Sequence, residues 1–145
     1  MSMTSPQIQD LSRRLLAFEA AHDNSSDEGV DVAVQVIEEL RMHLIKLAGV
    51  DGFRSILSRA LTLAKAEVPL LNMVRVRANG SLEGFNEIDQ SQDAGAAEQA
   101  GVVLVAHLLE LFVTFIGAPL TLSLVQDIWK DASMNGANSS TEEKQ

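Results

Sequence analysis

The sequence has no cysteine and no tyrosine, and it has one tryptophan and three prolines among 145 residues. The absence of cysteine excludes disulfides, thiolate metal ligands and cysteine nucleophiles. Hydrophobic residues still make up 46% of the chain, which is enough for an aliphatic core, and the length suits one domain. We expect a single helical domain over residues 1–132 and a disordered polar tail over residues 133–145.

Positive charge is scarce and unevenly placed. The formal net charge is −9, and residues 78–145 hold only two Lys or Arg against ten Asp or Glu. An acidic chain repels the phosphate backbone, so we expect no nucleic-acid partner. The first residues lack a basic region followed by an apolar core, so we expect no secretory signal and a cytoplasmic location.

The common catalytic motifs are missing as well. The sequence has no Gly-rich phosphate loop, no Gly-x-Ser-x-Gly, no His-Glu-x-x-His and no EF-hand loop. These gaps favour a protein that is not an enzyme and that needs no cofactor and no metal ion.

Apolar spacing predicts an all-α bundle of five helices. We place them at residues 6–22, 28–48, 51–68, 96–116 and 119–131, with Gly49 ending the second and Pro69 stopping the third. The second helix carries a heptad seam typical of a bundle or a coiled coil. From this seam we predict a self-association interface formed by Ile37, Leu40, Leu44 and Leu47.

A β-hairpin is predicted after the third helix, at about residues 73–85. Residues 73–78 alternate apolar and polar, and Asn79-Gly80 is a strong signal for a tight two-residue turn. A basic cluster spans this region and the third helix: Arg54, Arg59, Arg75 and Arg77. It either holds an acidic partner or a phosphate, or it pairs with the acidic residues Glu67, Glu83 and Glu87, and we favour the second interpretation.

The fourth helix is the most apolar segment, since residues 101–119 contain only two ionisable side chains, His107 and Glu110. Its length would suit a membrane span, but a carboxylate near the middle and the absence of basic flanks favour a buried central helix. His107, Glu110 and Thr114 repeat at helical spacing and form one polar seam. This seam is either a ligand or metal site, with Glu39 and His43 as further metal ligands, or a polar pair that satisfies itself.

Two stretches carry a resemblance: GFRSILSRALTLAKAEVP at residues 52–69 and VTFIGAPLT at residues 113–121, the latter followed by Trp129. Together they resemble a family of small helical bacterial proteins with no assigned activity. The resemblance implies a bacterial cytoplasmic origin and transfers no functional residue. Our hypothesis is a non-enzymatic interaction or regulatory module that binds a protein partner or itself as a homo-oligomer. The alternative is a helical protein that binds a ligand or metal at the His107/Glu110 seam.

Overall fold

The computed structural model describes residues 6–21, 32–84 and 94–129. In these residues there are four α-helices: α1 (Pro6–Ala21), α2 (Val32–Glu67), α3 (Ala94–Ile116) and α4 (Ala118–Ile128). A 3-10 helix at Pro69–Met73 leads from α2 to a hairpin of β1 (Arg75–Val76) and β2 (Leu82–Glu83). The helical fold with a small hairpin is confirmed. The predicted tail at residues 133–145 lies outside the described residues.

The predicted count of five helices is too high for the described part of the chain, because the second and third predicted helices are joined end to end. Gly49 marks the junction, with φ 81° and ψ 168° inside α2. This backbone region is essentially restricted to glycine. Gly49 therefore breaks the helix as expected, but helical backbone resumes at once, so the two segments form one kinked helix.

The core lies where the second half of α2 packs against α3. The rings of Phe53 and Phe112 lie 6.5 Å apart, and Glu67 contacts His107. Residue numbers rise along α2 as they fall along α3, so the two helices run antiparallel. Ala60 on α2 is fully buried, as are several large apolar side chains of α3: Leu104, Leu108, Leu109 and Phe112.

Helices α1 and α4 complete the cover of this pair. The hydroxyl of the fully buried Ser12 donates to the carbonyl of Val102 at 2.9 Å, which fixes α1 on α3. Helix α4 begins after Gly117, whose φ is 92° and ψ 153°, and it buries Leu124 and Val125. Beyond its end, the indole N–H of Trp129 donates to Glu19 at 3.0 Å and links α4 to α1.

One helix in the described part of the chain is long and apolar enough to cross a membrane by length and composition. It covers Glu98–Ile116, with a mean hydropathy of 1.9, and 67% of it is buried inside the protein. A single helix of this kind does not establish a membrane span, because the central helix of a folded core passes the same test.

The hairpin forms where it was predicted, but with a different turn. β1 and β2 pair antiparallel, with Val76 opposite Leu82. The N–H of Arg77 donates to Ser81 O at 2.8 Å, and the N–H of Gly80 donates to Arg77 O at 2.9 Å. The loop therefore has three residues, 78–80, with Gly80 at φ 89° as its left-handed position. The prediction of a two-residue Asn-Gly turn is therefore wrong.

The hairpin loop rests on α2. Arg41, from the first half of α2, donates to Asn79 O at 3.2 Å. Gly80 is so close to the Phe53 ring that a Cβ there would lie 3.2 Å from it. This helical support stabilises the hairpin, because two strands alone are only marginally stable.

Replacing Gly84 by alanine should destabilise the protein more than replacing Gly80. Both glycines have positive φ, 92° and 89°, which costs an L residue about 1–2 kcal/mol. At Gly84 the new Cβ would also overlap the backbone carbonyl of Met73, whereas at Gly80 it meets a side-chain ring that can shift. Urea denaturation of both variants measures the difference. Equal losses, or a larger loss for Gly80→Ala, would show that the close approach of Met73 and Gly84 is not constraining.

Candidate functional site

A small pocket of about 60 Å³ opens between α1, the end of α2 and α3. Its polar lining comes from four side chains: Gln9, Arg13, Glu67 and Gln99. Gln9 and Arg13 are four residues apart, so they share one face of α1. The apolar wall is one face of α3, with Val102, Val103 and Ala106.

A hydrogen bond between α2 and α3 lies beside this pocket. Nε2 of His107 lies 2.6 Å from Oε2 of Glu67, and the imidazole is only 2% exposed. An ionised carboxylate only accepts hydrogen bonds, so the ring N–H is the donor to Glu67. This bond satisfies a buried polar side chain and fixes a carboxylate that also lines the pocket.

The three residues of the predicted polar seam on α3 differ in burial and in the contacts they make. His107 is buried and reaches across to α2, Glu110 is half-buried, and Thr114 is exposed and donates to the backbone carbonyl of Glu110 at 3.1 Å. The partner of His107 is therefore Glu67, forty positions away. Glu67 was instead predicted to pair with the basic cluster. One feature of the sequence does indicate that Glu67 needs a partner. Glu67 lies in the last turn of a helix that ends before Pro69, where a carboxylate is stabilised by a nearby cation or hydrogen-bond donor.

A metal centre finds no support in the part of the chain that the structure describes. No group of three or more His, Asp or Glu side chains is arranged there to hold a metal ion. His107 and Glu67 together offer only two side chains that could bind a metal ion. The ring of His43, considered as a further ligand, lies 3.0 Å from the carbonyl of Glu39 on its own helix.

The predicted interface seam is mostly internal, which corrects the assignment. Ile37, Leu40 and Leu44 have relative exposures of 1%, 0% and 0% and belong to the core of the chain itself. They cannot meet a partner while the chain keeps this fold. Only Leu47 remains exposed, at 59%.

Exposed apolar side chains flank the break at Gly49 within α2 and the break at Gly117 after α3. Val50 precedes Phe53 by three residues, and Phe115 follows Phe112 by three, so each lies about 4.5 Å beyond the ring contact. Phe115 is 61% exposed and Val50 39%. Leu47 lies just before the break at Gly49, and Leu120, 46% exposed, is in the first turn of α4. We call Leu47, Val50, Phe115 and Leu120 the apolar end.

The basic cluster is divided between paired and exposed side chains. Arg77 pairs with Glu83 across the hairpin at 2.9 Å, and Arg54 lies 3.6 Å from Asp51. Arg59 and Arg75 are exposed. Arg75 lies opposite Glu83 in the strand register. Glu87, a further predicted partner, lies outside the described residues.

No protein-family model, curated protein or solved structure matches this chain. The resemblance to small bacterial proteins therefore stays a prediction.

Removing the Glu67 carboxylate should destabilise the fold because the buried His107 loses its acceptor. We expect Glu67→Ala to lower the free energy of unfolding by about 1–3 kcal/mol, and Glu67→Gln, which keeps an acceptor oxygen, to cost less. Glu98→Ala is the control, since Glu98 is an exposed glutamate on α3. Urea denaturation measures all three. If Glu67→Ala cost no more than Glu98→Ala, the inter-helix bond would not contribute to stability.

Proposed function

We propose that this chain is a non-enzymatic interaction or regulatory module of a bacterial cytoplasmic system, and that it presents a helical face to a second copy of itself. The observation that carries the proposal is the apolar end, where four large apolar side chains are exposed together. Three of them are Leu47, Phe115 and Leu120, at 59%, 61% and 46% exposure. Single exposed apolar residues need no explanation, but several of them beside the two glycine breaks favour an interaction surface.

The size of the apolar end suits a homodimer. Side chains of this size and exposure present a few hundred Å² of apolar surface, the range in which a patch is often functional. A stable interface buries about 800 Å² per partner, and roughly 60% of that area is apolar. The apolar end can therefore form the centre of such an interface, with polar neighbours as its rim. A two-fold axis through the patch would bury the same residues on both copies.

The charges around the apolar end also favour a second copy. Lys46 lies next to Leu47, and Asp51 next to Val50, and both charged side chains are exposed. The rim thus carries both signs, so Lys46 of one copy can face Asp51 of the other. Away from this rim, the net charge of −9 on each chain opposes association at low ionic strength. Self-association should therefore strengthen as salt is added.

A second candidate function is the binding of a small ligand. It is supported by the pocket beside the His107–Glu67 bond, where half-buried and exposed polar groups line one cavity. The pocket lies next to His107 of the predicted His107/Glu110 seam, and Glu67 supplies its carboxylate.

Light scattering coupled to size exclusion tests the homodimer. We expect the wild-type chain to be dimeric at micromolar concentration, and more so at high than at low salt. Phe115→Glu should be monomeric with unchanged helix content, because it places a charge in the centre of the interface. The control is Met73→Glu, which also places a glutamate at an exposed apolar residue, 38% exposed, after the C-terminal end of α2.

Met73→Glu should leave the dimer intact. A wild-type chain that stays monomeric at all concentrations, or a Phe115→Glu variant that dimerises as well as Met73→Glu, would refute the proposed surface.

A further inference from the structure

The pocket beside His107 contains two opposite charges that do not neutralise each other. Glu67 and Arg13 both line it. Arg13 makes no ion pair with any residue that the structure describes. Its neighbour Arg14 differs in this respect, since it pairs with Asp10 at 3.0 Å. The pocket therefore has one fixed anion on one side and one available cation on the other.

The Glu67 side of the pocket attracts positive charge. The carboxylate is held by His107 at 2.6 Å, so it does not have to be ordered when a ligand binds. Glu67 is also the last residue of α2, where carbonyl groups at the helix end add partial negative charge. An ammonium group is the ligand group that suits this position.

The Arg13 side attracts negative charge. A guanidinium offers several N–H donors in one plane, and a carboxylate accepts two of them at once. Arg13 would repel a simple cation, and Glu67 would repel a simple anion. A ligand that carries both charges satisfies both ends.

The dimensions of the pocket limit the ligand further. A volume of about 60 Å³ holds a few water-sized groups, well below the roughly 300–1,000 Å³ typical of drug-sized or cofactor ligands. The wall of Val102, Val103 and Ala106 suits a short aliphatic group, and the carboxamides of Gln9 and Gln99 supply further donors and acceptors.

We propose that this pocket binds a small zwitterion, a free amino acid with a short aliphatic side chain. Its ammonium group faces Glu67 and its carboxylate faces Arg13. The site does not depend on the proposed homodimer. Glu67 is seventeen residues beyond Val50 on α2, which is about 25 Å along the helix, so ligand binding and self-association have separate readouts.

Calorimetric titration of the full chain with L-alanine and with glycine tests the proposal. We expect saturable binding of at least one of them. Arg13→Gln should weaken it about tenfold or more, because the bidentate contact to the carboxylate is lost. Arg14→Gln is the matched control. It removes the same charge from the adjacent residue, outside the pocket lining, and should leave the affinity unchanged.

Methylammonium and acetate, titrated separately, test the need for both charges, and each should bind at least about tenfold more weakly than the amino acid. Three results would overturn the proposal. One is no saturable binding of either amino acid up to about 10 mM, which corresponds to a free energy weaker than that of a millimolar complex. The others are equal losses in Arg13→Gln and Arg14→Gln, or methylammonium or acetate binding as tightly as the amino acid.

Discussion

The fold depends on the burial of the apolar helix α3 by the other helices of the chain. Of the stretch Glu98–Ile116, 67% is buried, although one helix on its own would expose nearly all of it. Helix α2 covers it through the Phe53–Phe112 contact, and α1 is fixed on it by the hydroxyl of Ser12. The burial of so apolar a helix is a large favourable term in folding, since about 25 cal/mol is gained per Å² of apolar surface removed from water. It also makes a partner favourable for a polar group on α3 that enters the core, as Glu67 is for His107.

Two interruptions of helical backbone, both at glycine, allow α2 and α4 to pack against α3. Gly49 lets α2 change direction without a loop, and Gly117 turns the chain from α3 into α4, which packs back on the core. Both residues have φ and ψ values that side chains disfavour. Because α2 and α3 run antiparallel, both breaks lie at the same end of the helix pair. The same geometry leaves Leu47, Val50 and Phe115 exposed there, so the proposed interface is a consequence of how the core is closed.

Local features were predictable from the sequence, and long-range contacts were not. The stop at Pro69 follows from a residue that restricts its own backbone, whereas the break at Gly49 and the turn at Gly80 follow from residues that adopt positive φ without strain. Periodicity also identified Leu40 and Leu44 as a stripe that must be covered, but not what covers it. We assigned the cover to a second chain, and the structure supplies it from the same one. The His107–Glu67 bond links residues forty positions apart, and nothing in local spacing indicates such a pair.

Amide hydrogen exchange on the full chain in aqueous buffer tests most directly whether α3 is the central helix covered by its own chain. We expect the amides of residues 102–112 to be the slowest in the protein, with protection equal to the free energy of global unfolding measured in urea. The first turn of α1, at residues 6–9, should exchange much faster through local opening. If residues 102–112 exchanged as fast as that first turn, α3 would not be the buried centre of the fold, and the packing described for α2, His107 and Glu67 would be wrong.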